Sequence, residues 1–306
     1  MVEPAALRGV NKPYMKLSRR SALVATAGAA TAAALSLDLR VRAADRAAGG
    51  AGRIHHSVCK WCYPKVALED LCLFAKANGL ASIELLGPSD WPVLAKHGLT
   101  CAMTSNPTID GLGGITKAFN RLEHHDKLVQ AYSEYIPQAA RAGLKNVICF
   151  SGNRNQLDDQ TGLENCAKGI QRLMKLCEQH GVNLVMELLN SRVDHADYMC
   201  DKSAWGVALC QRVGSERFKL LYDIYHMQIM EGDVIATIRR DHQYFAHYHT
   251  GGVPGRNEID ETQELQYPAI MRAIVATKFE GHVAQEFIPK RDPLASLKQG
   301  VTICDV

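Results

Sequence analysis

From about His55 onward the chain alternates short, continuous apolar runs with longer stretches in which apolar residues recur every three or four positions. The short runs are His56–Cys59, Ser82–Leu86, Thr100–Thr104, Asn146–Phe150, Asn183–Leu188, Phe218–Asp223, Phe245–Thr250 and His282–Phe287. Unbroken apolarity is what parallel strands covered on both faces require. The longer stretches predict helices over Leu68–Asn78, Arg121–Ala142, Leu163–His180, Asp201–Val213, Tyr267–Thr277 and Asp292–Ile303, with another opening at Asp233 as N-cap and running through Arg239. Gly79, Gly143, Gly181 and Gly214 stand just past four of them, where a left-handed residue ends a helix. Eight strand–helix units of roughly 31 residues each predict a single-domain (β/α)8 TIM barrel over residues 44–306. A doubly wound open sheet lacks support, because no G-x-G-x-x-G or Walker-type loop follows an early strand.

Four polar side chains interrupt this apolar pattern at equivalent places. Glu187, Asp223, His249 and Glu286 sit at or near the C-terminal ends of the fifth to eighth predicted strands. A charged group at the end of a buried strand is costly unless something neutralises it. In a barrel, active sites form at that face, so the four would converge. A single acidic residue there can instead cap the next helix, and a lone histidine can be an ordinary core residue. Four in succession predict one divalent metal ion, with Glu187, Asp223, His249 and Glu286 as ligands. Three carboxylates and an imidazole suit Mg²⁺, Mn²⁺ or Co²⁺, with Zn²⁺ also admissible. Open positions on such an ion would take two substrate oxygens. His226, three residues after Asp223, is placed to donate to a substrate oxygen. Arg256 lies in the long polar connection Gly251–Gln266, a candidate lid, and its guanidinium could pair with a carboxylate. Glu84 is either a further polar contact or a structural cap, and Lys60 and Trp61 could form one wall of the pocket.

The first 43 residues differ from the rest. Lys16, Arg19 and Arg20 precede an uncharged, alanine-rich stretch from Ala22 to Leu37, and Val41-Arg42-Ala43 offers small residues for cleavage. This is the layout of an export signal, and Ser18-Arg19-Arg20 resembles a twin-arginine one. The expected location is therefore periplasmic, or cytoplasmic without a working signal. The stretch is too short and too weakly apolar for a stable membrane span. Its removal would leave 28 basic against 30 acidic residues, turning the formal charge of +3 negative and arguing against a nucleic-acid partner. Of the ten cysteines, Cys72, Cys149, Cys166, Cys177 and Cys210 fall inside apolar patterns and read as small hydrophobes. Cys59-Lys60-Trp61-Cys62 is a C-x-x-C without a second half-site or a thioredoxin-like setting.

The segments Met186-Glu187-Leu188-Leu189-Asn190, Tyr222-Asp223-Ile224-Tyr225-His226, Gln228-Ile229-Met230-Glu231-Gly232-Asp233, Gly252-Val253-Pro254-Gly255-Arg256 and Gln285-Glu286-Phe287 resemble the hydroxypyruvate isomerase branch of the xylose-isomerase-like TIM barrels. The resemblance implies a metal-dependent aldose–ketose isomerisation by proton transfer through an enediolate, converting hydroxypyruvate to tartronate semialdehyde. It makes Glu187 and Glu286 the catalytic acid/base pair as well as metal ligands, Asp223 a metal ligand only, and His226 and Arg256 substrate contacts. Two features depart from the branch. His249 stands where the isomerases have glutamine, as in the epimerase-like relatives, and the export signal is foreign to the familiar isomerases.

A ketose or 3-keto-glycoside epimerase or lyase would need the same metal and glutamates. A DNA-repair endonuclease of this barrel class would need further histidine and aspartate ligands that the long loop lacks. A non-catalytic sugar-binding protein would not need both glutamates. The expected partner is a small hydroxy-carbonyl or sugar substrate, and a homo-oligomer is compatible with the reading. Changing Arg19-Arg20 to Lys-Lys is expected to stop export of the full-length chain; protein still reaching the periplasmic fraction would remove the twin-arginine reading.

Overall fold

The computed structural model describes residues 52–306. The export-signal reading over residues 1–43, including Arg19 and Arg20, lies outside the described residues. Seven strands form one parallel sheet: β1 (His55–Cys59), β2 (Ser82–Glu84), β3 (Asn146–Cys149), β4 (Asn183–Glu187), β5 (Phe218–Asp223), β6 (Phe245–Thr250) and β7 (His282–Gln285). Their order is β2-β1-β7-β6-β5-β4-β3. Outward residues such as Val58, Ile83, Val147, Met186, Leu220, Tyr248 and Val283 are buried against the surrounding helices. The alternate, inward positions are unusually polar. Ser57, Glu84, Glu187, Asp223, His247, His249 and Glu286 are all buried, where such barrels more commonly carry branched aliphatics.

Among the described residues nine α-helices accompany the sheet: α1 (Leu68–Ala77), α2 (Trp91–Lys96), α3 (His125–Arg141), α4 (Asp159–His180), α5 (Ser203–Val213), α6 (Ile224–Met230), α7 (Val234–Asp241), α8 (Tyr267–Ala276) and α9 (Pro293–Cys304). Helix α4 starts four residues before its apolar pattern, because the Asp158 carboxylate accepts the Thr161 amide at 2.9 Å. Gly181 and Gly214 close α4 and α5 in left-handed conformations, as the pattern predicts. Asp233 does precede α7, but it adopts φ of 43° and its side chain makes no capping hydrogen bond. The short helix α6 is invisible as a period, since it follows Asp223 without a turn residue.

One predicted strand is corrected. Thr100–Thr104 lies between β2 and β3 but forms no continuous ladder with them: the isolated bridges Ser82↔Thr100, Leu86↔Thr104 and Thr104↔Val147 are joined by backbone hydrogen bonds such as Leu85 N–H to the Met103 carbonyl (2.8 Å) and Thr104 N–H to the Asn146 carbonyl (3.0 Å). Leu85 has a left-handed φ of 58°, which ends β2 at Glu84. Side chains repair the seam. The Ala102 amide donates to Ser82 Oγ at 2.8 Å, and Asn146 Nδ2 donates to the Ala102 carbonyl at 2.9 Å. Asn183 Nδ2 continues the row by donating to Asn146 Oδ1 at 2.9 Å. The barrel therefore closes, with eight staves and one mixed seam.

The long connection from Gly251 to Gln266 is tied down rather than draped as a free lid. Gly251 exchanges two hydrogen bonds of 2.8 Å with the Tyr267 hydroxyl. The buried Glu258 carboxylate accepts the amides of Lys290 and Arg291 and the Ser296 hydroxyl, and Arg291 Nη2 donates to Asp260 at 2.6 Å. All ten cysteines are free and buried, so Cys59 and Cys62 act as packing residues here. Among the described residues no helix is long and apolar enough to cross a membrane.

Ser82→Ala strands the Ala102 amide in the seam without an acceptor. A loss of about 1–3 kcal/mol in urea unfolding is expected. An unchanged midpoint would show that the seam does not depend on this side chain.

Candidate metal centre and active site

Glu187 and Asp223 are the last residues of β4 and β5, His249 is next to last in β6, and Glu286 follows β7 directly. All four are buried, and one ligand atom from each lies within 4.8 Å of the others. His249 Nδ1 is 2.8 Å from Glu286 Oε2, 3.4 Å from Glu187 Oε1 and 4.0 Å from Asp223 Oδ2. Ligand atoms held about 2.0–2.6 Å from one cation must lie within roughly 5 Å of one another, so the set fits a single divalent ion. Glu187 Oε1 is buried with no hydrogen-bond partner, as an oxygen reserved for a cation would be.

Asp223 fills both roles open to it. Its Oδ1 accepts the amides of Tyr225 (2.8 Å) and His226 (3.3 Å), capping α6, while Oδ2 faces the cluster. The α6 cap also fixes His226. Asn190 Nδ2 donates to His226 Nδ1 at 2.7 Å, and Asn190 Oδ1 accepts the amides of Val193 and Asp194. With Nδ1 accepting, Nε2 carries the proton; it is buried, unpartnered and 3.6 Å from Asp223 Oδ2. Burial, reinforced by Arg256, holds His226 well below the ordinary histidine range, so it is a neutral donor.

Arg256 reaches the site by a route the sequence did not foresee. Its Nη2 donates to Glu286 Oε2 at 2.6 Å and to Asp223 Oδ2 at 3.3 Å. Its guanidinium also lies 5.1 Å from the Trp61 ring and 5.2 Å from the Tyr225 ring, and Trp61 Nε1 donates to Glu286 Oε1 at 2.8 Å. Arg256 is thus in the pocket as expected, but it spends its charge on the protein's own carboxylates.

The two glutamates sit in opposite electrostatic settings. Burial raises the Glu187 carboxyl, and Glu286 raises it further. Burial acts in the same direction on Glu286, but His249 and Arg256 outweigh it and hold Glu286 well below the usual carboxylate range. Asp223 is pushed well up by burial despite Arg256. Burial opposes charge on His249, yet its carboxylate neighbours Glu286 and Glu187 hold the imidazole well above the ordinary range.

Glu187, Arg256 and Glu286 open onto a cavity of about 350 Å³ lined also by Trp61, Leu85, Ser105, Asn106, Ile115, Ile148, Phe150, Leu189 and His195, whereas Asp223, His226 and His249 are fully buried behind that lining. Trp61 does form a wall, whereas Lys60 turns away to the Tyr63 carbonyl. Glu84 is neither a cap nor a pocket residue. It lies inside the barrel, where the imidazoles of His247 and His249 hold its carboxylate well below the usual range against the effect of burial. His247 and Asn190 had no assigned role in the sequence. His247 could have been found, since it is two residues before His249 and must share its face.

A family model described as xylose isomerase-like TIM barrel matches residues 92–303. The 2-oxo-tetronate isomerase of Cupriavidus necator is 34% identical over 117 residues, covering 38% of this chain and 44% of that protein. The chain thus spans under half the length of that relative. The hydroxypyruvate isomerase of Escherichia coli is 27% identical over 244 residues, covering 74% of this chain and 91% of that protein. The crystal structure of AP endonuclease, family 2 from Brucella melitensis superposes with a TM-score of 0.71 at 23% identity, covering 81% of this chain and 98% of that one, a likeness of fold. With a family model matching more than half of its length and the buried strand-end cluster in place, the chain belongs to the xylose isomerase-like TIM barrel family.

Proposed function

We propose that the protein is a metal-dependent isomerase of an α-hydroxycarbonyl compound, with hydroxypyruvate to tartronate semialdehyde as the leading reaction. The observation that carries this reading is the buried set Glu187, Asp223, His249 and Glu286, with Glu187 Oε1 left unpartnered beside the cavity. The similarity to named isomerases supports it. Glu187, Asp223, His249 and Glu286 would hold one Mg²⁺, Mn²⁺ or Co²⁺ ion, with Zn²⁺ admissible. Such an ion, when bound, polarises a carbonyl and offsets the negative charge of an enediolate.

The protein's own groups divide the proton chemistry. Glu187 and Glu286, the two carboxylates that line the cavity, are the acid/base pair: one takes the proton from carbon, the proton returns to the neighbouring carbon, and the hydroxyl hydrogen passes between the two oxygens. Trp61, Arg256 and His249 fix Glu286 in position. The His226 Nε2–H, oriented by Asn190, donates to the oxygen on which charge develops. Leu85, Ile115, Ile148, Phe150 and Leu189 keep that side of the cavity dry.

A second reading, a ketose or 3-keto-glycoside epimerase or lyase, is favoured by one feature. Among the described residues that line the cavity Arg256 is the sole Lys or Arg, and it already serves Glu286 and Asp223. An anionic substrate would have to share it; a neutral sugar would not. Periplasmic location is proposed with either reading.

The purified chain should be assayed with Mn²⁺ or Mg²⁺ against hydroxypyruvate, simple ketoses and 3-keto-glucosides. Turnover is expected to vanish on chelation, and tight binding without turnover would point to a binding protein instead. Glu187→Gln and Glu286→Gln are each expected to lose roughly 10²–10⁴-fold in kcat; a variant that keeps full turnover of the preferred substrate has no acid/base role. Arg256→Ala separates the two substrates. With hydroxypyruvate, loss of a charge-assisted bond of about 1.5–3 kcal/mol raises KM roughly 10- to 100-fold. With a neutral ketose the loss falls on kcat, through Glu286, and an unmoved KM for hydroxypyruvate would exclude Arg256 as its carboxylate partner.

A further inference from the structure

The two ring nitrogens of His249 face opposite sides of the barrel. Nδ1 faces Glu187, Asp223 and Glu286. Nε2 faces the barrel interior, 2.8 Å from Glu84 Oε1. Glu84, on β2, is wholly buried and lies outside the cavity lining. Its Oε1 also meets His247 Nε2 at 2.7 Å, and its Oε2 accepts from Ser57 Oγ at 2.5 Å. Both ring nitrogens meet a carboxylate at 2.8 Å, Nδ1 that of Glu286 and Nε2 that of Glu84, so each can donate a hydrogen while no cation is present. Glu286 is one of the clustered ligands and Glu84 is not, so a cation among Glu187, Asp223 and Glu286 takes the place of the Nδ1 hydrogen while Nε2 keeps its own toward Glu84.

We propose that Glu84 is a positioning residue for the metal centre: by accepting from His249 Nε2–H it fixes the ring and makes Nδ1 the ligating atom. The inference rests on the metal-centre reading of Glu187, Asp223, His249 and Glu286. Ser57 and His247 matter because they hold the Glu84 carboxylate in place from both sides, so the acceptor that meets the His249 ring is itself fixed. The rival arrangement is a cation on the inner side, shared by Cys59 Sγ, Glu84 and His249 Nε2. There Sγ stands 3.7 Å from Nε2 and 3.8 Å from Glu84 Oε1. The donors already on Glu84 oppose it, since Ser57 Oγ occupies its Oε2 and His247 Nε2 its Oε1.

The test uses the full chain. In histidine-labelled, Zn²⁺-loaded protein, long-range nitrogen–proton NMR is expected to show His249 protonated at Nε2 and metal-bound at Nδ1. Mn²⁺ titration by calorimetry is expected to show Glu84→Gln weakened roughly 10- to 100-fold, a range typical of residues that orient a metal ligand, and Cys59→Ser close to wild type. Co²⁺-loaded protein should lack a thiolate charge-transfer band. Metal at Nε2, a thiolate band, or Mn²⁺ affinity of Glu84→Gln within twofold of wild type would each overturn the role given to Glu84. Wild type that takes up no metal would instead overturn the metal reading itself, so the two failures are distinguishable.

Discussion

Three carboxylates converge on one imidazole in a space that excludes water, and much of the barrel is arranged around their mutual repulsion. Isolated charges in such a place cost several kcal/mol each after relaxation. The directions of the shifts follow from this: Glu187 and Asp223 are driven toward neutrality, His249 toward charge, and Glu286, which holds the best partners, stays ionised. A divalent cation resolves the same conflict without protons. The polar column beneath, Glu84 with Ser57, His247 and His249, continues that arrangement into the barrel, where aliphatic layers would pack as well but could not orient a histidine.

The site also ties together segments that are distant in sequence. Glu286 after β7 takes hydrogen bonds from Trp61 after β1, His249 on β6 and Arg256 in the Gly251–Gln266 connection. Asp223 caps α6 with one oxygen and faces the cluster with the other. A substitution at either carboxylate therefore acts on loop geometry as well as on chemistry, and lost activity alone does not report a chemical role. The anchoring of the connection through Glu258, Asp260, Arg291 and Tyr267 has the same consequence. Arg256 is delivered to Glu286 by a braced loop, so its position belongs to the fold rather than to a substrate-driven closure.

What could be read from the sequence follows from where each signal lies. Strand-end polar residues stand out against apolar runs, so Glu187, Asp223, His249, Glu286 and the parallel barrel were legible. Period and glycine caps located α4 and α5 to within a few residues. The seam at Thr100–Thr104 was not legible, because a left-handed Leu85 leaves no trace in composition. Arg256 was placed in the pocket by motif, but its partners depend on where the loop carries it. Glu84 was undecided because it faces a histidine from a distant strand; only closure of the barrel brings β2 to β6 across the interior.

Charge balance carries the substrate question one step further. Glu187, Asp223 and Glu286 bring three negative charges when ionised, and Arg256 returns one, so a net of two remains. One divalent ion with a neutral His249 cancels it on the cavity side, while ionised Glu84 behind the ring leaves one further negative charge in the interior. A neutral hydroxyketone then enters a balanced site, and the charge of an enediolate develops against the ion and the His226 donor. A carboxylate-bearing substrate adds a negative charge at the start, which Arg256 can meet only by loosening its hold on Glu286 and Asp223. Turnover of hydroxypyruvate would therefore require Arg256 to move between the protein's carboxylates and the substrate's, whereas a neutral sugar needs no such exchange. The cation–π contacts of Arg256 with Trp61 and Tyr225 resist that movement, so their strength bears directly on which substrate the barrel accepts.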